Sequence, residues 1–279
     1  MGDRNARDSR SKRIGLALAG GGLEGAVYEI GALHALDDSL EGLDLTRNVD
    51  VYVGVSAGAF VASCLANGLS TRQLVRSIVK QSGLENPFVP EVFFTPALRE
   101  FISRGLMTPR LLLESMADYV GNPQDLTLLE SFARLSRALP VALFNNEPIR
   151  NYLERIFALP GRTNDFRELA GRLVVVAADL DSGEAVRFGE DGTEHVPISK
   201  AVQASTALPG IYPPVLIDGR YYVDGVLLKT LHASVALESN AQLVLCVNPI
   251  VPVDTADAVT AGVMRRGKLT NRGLPTVLS

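Results

Sequence analysis

The chain has 279 residues, of which 47% are hydrophobic and 21% charged, and its formal net charge is −4. This is ordinary globular composition, enough for one large domain, and it excludes a disordered chain. The mild acidity gives no reason to expect nucleic acid as a partner, and no apolar run approaches the roughly 18 residues of a membrane helix.

Residues 1–13 form a polar N-terminal tail of both charge signs, without the apolar centre of a secretory signal. Gly2 is followed by Ala6, where a myristoylation motif needs Ser or Thr. These missing signals lead us to expect a cytoplasmic protein, peripheral at membranes where it meets them. Residues 14–19 read as a buried strand leading into three glycines. Residues 25–36 carry Val27, Ile30, Leu33 and Leu36 at helical spacing. Residues 49–53 are a second β-branched strand. Residues 57–65 follow as a small-residue helix suited to close packing on a sheet. Residues 71–79 predict another helix.

Residues 84–170 change character. Pro87, Pro90 and Pro96 interrupt the start of this stretch, and several helices are expected after it. Thr108-Pro109 is a helix start, with Leu112, Met116, Tyr119 and Val120 as its stripe. Thr127 to Glu130 has capping-box spacing, and residues 148–157 predict a further helix. We expect this region to be a helical insertion, or lid, against the core. Phe93, Phe94, Phe101, Leu112, Met116 and Phe144 could line an acyl channel or simply fill core.

Strands are expected again at residues 173–178 and 185–188. A helix over 198–207 ends at Pro209-Gly210. Residues 215–217 and 221–223 flank Asp218-Gly219, a hairpin signal. Residues 243–247 read as a last buried strand. The alternation of strands and helices predicts an α/β fold. Residues 251–279 are weakly patterned, as expected of a chain cut from a longer one. Three histidines and two widely separated cysteines, with no CxxC and no HExxH, offer little to a metal and little to a disulfide.

Three motifs carry chemistry. Gly54-Val55-Ser56-Ala57-Gly58 is a G-x-S-x-G between a predicted strand and a predicted helix, the setting of a nucleophile elbow. Gly20-Gly21-Gly22, with Gly25 beyond, follows the first strand and offers backbone N–H groups to an oxyanion. The same glycines fit a dinucleotide fingerprint. The second strand, however, runs into the serine motif instead of ending on the acidic residue a ribose needs. Asp224-Gly225 ends a strand, and it is either a turn or a general base for Ser56.

In this order and spacing the motifs resemble the patatin-like phospholipase family, over about residues 13–249. Residues 204–214 resemble the segment that precedes that family's aspartate. The resemblance implies a three-layer α/β/α fold with a mainly parallel sheet over residues 14–250. It implies Ser56 as nucleophile and Asp224 as base. It places the oxyanion hole at Gly20, Gly21 and Gly22, with Gly54 and Gly58 shaping the elbow and Gly25 and Gly225 supporting the motifs. No metal or organic cofactor is required. The substrate is expected to be a phospholipid, lysophospholipid or related acyl ester, and the oligomeric state is left open. Two departures stand out: Glu24 replaces the family's usual Arg or Lys, and Val226 replaces a small residue. Glu24 is expected to point outward, because a carboxylate beside an oxyanion opposes its charge. Other readings are an α/β-hydrolase using His232 as its catalytic histidine, and a lipid-binding protein with weakened catalysis.

Overall fold

The computed structural model describes residues 13–79, 142–190, 192–250 and Thr260. The expectations for residues 80–141, including the Thr108 and Thr127 helix starts and Phe93, Phe94 and Phe101, lie outside these residues.

A seven-stranded sheet forms the centre. Its strands are β1 (Ile14–Leu18), β2 (Val51–Val55), β3 (Arg172–Asp179), β4 (Ala185–Phe188), β5 (Val215–Ile217), β6 (Arg220–Asp224) and β7 (Leu243–Val247). They pair in the order β5-β6-β3-β2-β1-β7, and β4 also pairs with β3. The β7-β1-β2-β3 ladder is parallel, while β4, β5 and β6 join antiparallel.

The helices are α1 (Gly22–Ser39), α2 (Ala57–Ala66), α3 (Thr71–Leu74), α4 (Glu147–Phe157), α5 (Ile198–Ser205) and α6 (Ala233–Glu238). Strand alternation assigns them to two layers. Tyr52, Leu173, Val175 and Ala177 face a core shared with α1, α2, α4 and α5. Val51, Val53, Val55, Val174 and Val176 face the smaller core closed by Val235 and Ala236 of α6. The fold is therefore a three-layer α/β/α sandwich around a mostly parallel sheet.

Both faces of β2 are covered, and all five of its residues are buried. Each large side chain taken from water here contributes roughly 1.5–3 kcal/mol. α2 is apolar on all sides and buried at nine of its ten positions, because it lies between the sheet and α1 with α5.

Several boundaries differ from the sequence reading. α1 starts at Gly22, three residues earlier than periodicity suggests, because glycines carry no apolar signal. The helix expected over 71–79 stays α-helical only to Leu74 and widens to a π-turn over Val75–Val79. The expected buried strand at 243–247 is at the end of the ladder, and Leu243 is 48% exposed. Its apolar composition had suggested a central position, which periodicity alone does not distinguish from an edge. α6 has no counterpart in the sequence reading.

Candidate active site

The register of β3 brings the two ends that matter together. β4 occupies one edge of β3 from Val175 to Ala178. The opposite edge is shared: β2 runs along it in parallel until Val55 faces Val176, and β6 arrives antiparallel until Asp224 faces Ala177. Two strands thus meet head to head on consecutive residues of a third. Ser56 is the next residue of one strand, and Asp224 is the last of the other.

Ser56 leaves β2 with φ 55° and ψ −124°, in a region L-residues rarely enter, and caps α2. Such a conformation costs on the order of 1–3 kcal/mol and is found where a side chain is held out for function. The flanking glycines are demanded by space. A Cβ on Gly58 would lie 2.5 Å from the Leu18 carbonyl, and one on Gly54 would collide with the first turn of α2. The Gly58 N–H donates to the Ala19 carbonyl at 3.0 Å, tying that turn to the end of β1.

Ser56 is 8% exposed and Asp224 1%. The Ser56 hydroxyl lies beside the Asp224 carboxyl group and favours its ionised form. Asp224 Oδ1 accepts the Val226 N–H at 2.9 Å. Burial pushes the carboxyl pKa up to about 7, and the Ser56 hydroxyl and the Val226 N–H hold it from going higher. A carboxylate with such a pKa is a competent base at neutral pH.

The glycine loop passes over the serine. A Cβ on Gly20 would meet Ser56 Cβ at 3.2 Å and Val226 Cγ2 at 2.8 Å. Val226 is thus accommodated by the bare Gly20 backbone. One expectation is corrected here. The Gly20 N–H already donates to the Thr230 carbonyl at 3.0 Å, so it is not free for an oxyanion. Gly21 and Gly22 remain. They stand at the N-cap and first position of α1, where helical N–H groups have no helical acceptor. Gly25 packs the loop against Pro249, and Gly225 sits between Val176 and Val55. Glu24 is exposed on the first turn of α1, where a carboxylate suits the helix dipole.

The histidines lie elsewhere. His232 stands at the N-cap of α6 and is held toward its neutral form by burial. His195 pairs with Asp218 at 2.7 Å on the surface. His34 lies beside Thr71 and Asp38. Ser56 and Asp224 therefore meet with no histidine between them. Phe144 packs partly buried on the core. Among the described residues no three His, Cys, Asp or Glu cluster as metal ligands, and no helix is long and apolar enough to cross a membrane.

Sequence reasoning missed Ser205. This fully buried residue ends α5, and its hydroxyl accepts the Ser56 N–H at 2.8 Å. A serine at a helix end carries no sign of a partner 149 residues away.

A family model described as patatin-like phospholipase matches residues 16–237. The chain belongs to this family. Among curated relatives, an uncharacterized protein of Acanthamoeba polyphaga mimivirus is 26% identical, over 78% of this chain and 59% of that one. An uncharacterized NTE family protein of Mycobacterium tuberculosis is 25% identical, over 87% of this chain and 50% of its own length. The chain thus spans between half and three-fifths of these relatives. Among solved structures, VipD from Legionella pneumophila is 22% identical with a TM-score of 0.45, covering 91% of this chain and 53% of its own. ExoU from Pseudomonas aeruginosa, solved in complex with SpcU, is 19% identical with a TM-score of 0.37, covering 71% and 39%. The family assignment rests on the match over residues 16–237.

Proposed function

We propose that this patatin-like chain is a serine acyl hydrolase working through a Ser56–Asp224 dyad. It releases fatty acid from phospholipids, lysophospholipids or related acyl esters. The observation that carries the reading is the strained Ser56, set beside a buried Asp224 with no histidine between them.

Asp224 takes the hydroxyl proton as Ser56 Oγ attacks the ester carbonyl. The N–H groups of Gly21 and Gly22 receive the oxyanion. One such donor is typically worth about 10²–10³ in rate. Collapse expels the alcohol, which takes the proton from Asp224, and leaves an acyl-serine. Water then attacks while Asp224 accepts its proton. The fatty acid departs and the proton returns to Ser56.

The test is fatty-acid release from mixed phospholipid vesicles. Wild type and His232→Ala are expected to release it, while Ser56→Ala and Asp224→Asn fall by at least about 10³-fold. Because the base must be ionised, kcat/KM should rise with pH and level off above an acid limb near pH 7. Loss of release in His232→Ala, with Asp224→Asn active, would replace the dyad by a histidine mechanism.

A further inference from the structure

Asp224 and Ser56 come from strands far apart in sequence, yet one short segment holds the backbone of both. The Ser205 hydroxyl accepts the Ser56 N–H at 2.8 Å and donates to the Val176 carbonyl at 2.6 Å. Two residues later, the Ala207 carbonyl accepts the Asp224 N–H at 3.0 Å.

The place of the hydroxyl explains its use. Val55 faces Val176, so the next rung of the parallel ladder would carry the Ser56 N–H to the Val176 carbonyl. The chain turns away at Ser56, and Ala177 pairs with Asp224 instead. The Ser205 hydroxyl is spliced into that rung. It satisfies both groups after the strands have parted. An unpaired N–H or carbonyl here would be buried without water. We propose that Ser205 is a positioning residue that, with the Ala207 carbonyl, sets the separation and aim of Ser56 and Asp224. This rests on the dyad reading above.

Ser205 touches no reacting atom, so removing its hydroxyl should act through geometry. A misplacement on the order of 1 Å typically costs about 10²-fold. The neighbouring Ser56 hydroxyl, if held in place, also keeps the Asp224 pKa down. Loosening it moves the acid limb of the rate profile to higher pH, a change that lost packing alone would not cause.

The experiment measures labelling of the full chain by a fluorophosphonate. Ser56 Oγ bonds to phosphorus, the P–F bond breaks, fluoride leaves and Asp224 takes the proton. Labelling of wild type but not of Ser56→Ala establishes the dyad serine. If wild type is not labelled, or Ser56→Ala is labelled as fast, the dyad reading fails and this proposal with it. With the serine established, Ser205→Ala should be labelled about 10- to 100-fold more slowly, with KM for an ester within about twofold. Its acid limb should stand above that of wild type. Ser205→Thr, which keeps the hydroxyl, should recover most of the loss. Labelling of Ser205→Ala within about threefold of wild type overturns the proposal and leaves the dyad intact. If Ser205→Ala does not fold, Ser205→Cys decides. Folded and slowed at least about tenfold, it supports positioning; folded at wild-type speed, it overturns it. Loss of fold in both variants makes Ser205 a folding residue and also overturns it.

Discussion

At Ser56 the backbone stores energy that the side chain uses. Its φ of 55° is unfavourable for any residue with a Cβ and acceptable for glycine. Ser56→Ala and Ser56→Gly both lose the hydroxyl beside Asp224, so their difference isolates the backbone. Relief of strain is worth on the order of 1–3 kcal/mol, against roughly 0.5–1 kcal/mol for glycine's extra unfolded-state freedom. Strain wins. Ser56→Gly should be more stable than Ser56→Ala by about 1 kcal/mol, read as a higher urea midpoint at unchanged slope. Equal midpoints, or a lower one for glycine, would mean that the elbow is not strained. The nucleophile was legible in the sequence because its chemistry needs glycines at fixed offsets, and Gly54 and Gly58 supply them. Asp224 was legible only as a turn or a base, and it took the resemblance to choose. Gly20 was read as an oxyanion donor because sequence does not show a loop packed on it; Thr230 takes that N–H.

Among elements, α5 shows why tertiary hydrogen bonds escape a sequence reading. Its extent was nearly right, since 198–207 was expected and Ile198–Ser205 is found. Its fastening was not foreseen. Gln203, 2% exposed, donates from Nε2 to Asn146 Oδ1 at 3.0 Å and to Glu147 Oε1 at 2.8 Å. Asn146 Nδ2 returns a bond to the Gln203 carbonyl at 3.1 Å. These bonds clamp the start of α4 onto the helix that ends in Ser205. Gln203→Ala would leave the buried Asn146 Oδ1 unpaired, strip a partner from the half-exposed Glu147 carboxylate and open a cavity. Each unsatisfied group costs about 1–3 kcal/mol. A total of about 3 kcal/mol lowers the melting temperature of a chain this size by on the order of 10 °C. A change below about 2 °C in a thermal melt would show that the clamp contributes nothing. Sheet order was equally hidden: periodicity finds strands but not neighbours, and only the register reveals that β2 and β6 share one edge of β3.

For the whole molecule, the buried acids set how stability answers pH. Glu29 lies wholly inside on α1, although that face reads as apolar from Ile30 and Leu33. Neither carboxyl oxygen has a hydrogen-bond partner of good geometry among the described residues. Burial raises its pKa from 4.5 to about 9 against the opposing pull of the Ala19 backbone. Between these values the folded chain keeps the proton and the unfolded chain has lost it. Folding then binds a proton, so stability is full below about pH 4.5 and falls as pH rises toward 9. One pKa unit is about 1.4 kcal/mol, so the loss reaches on the order of 3 kcal/mol by pH 7. Asp224 adds a loss of the same sign between its usual value of 3.8 and about 7. Glutamine at position 29 keeps the shape and cannot ionise. Glu29→Gln should match wild type at pH 4.5 and exceed it by on the order of 3 kcal/mol at pH 7, while the Asp224 contribution cancels in the comparison. Urea unfolding of both proteins at the two pH values measures the difference. A constant difference would mean that Glu29 is ionised inside the fold, held by a group that compensates its burial. A difference growing with pH would show that the chain carries an acid behind its glycine loop at a standing cost to stability.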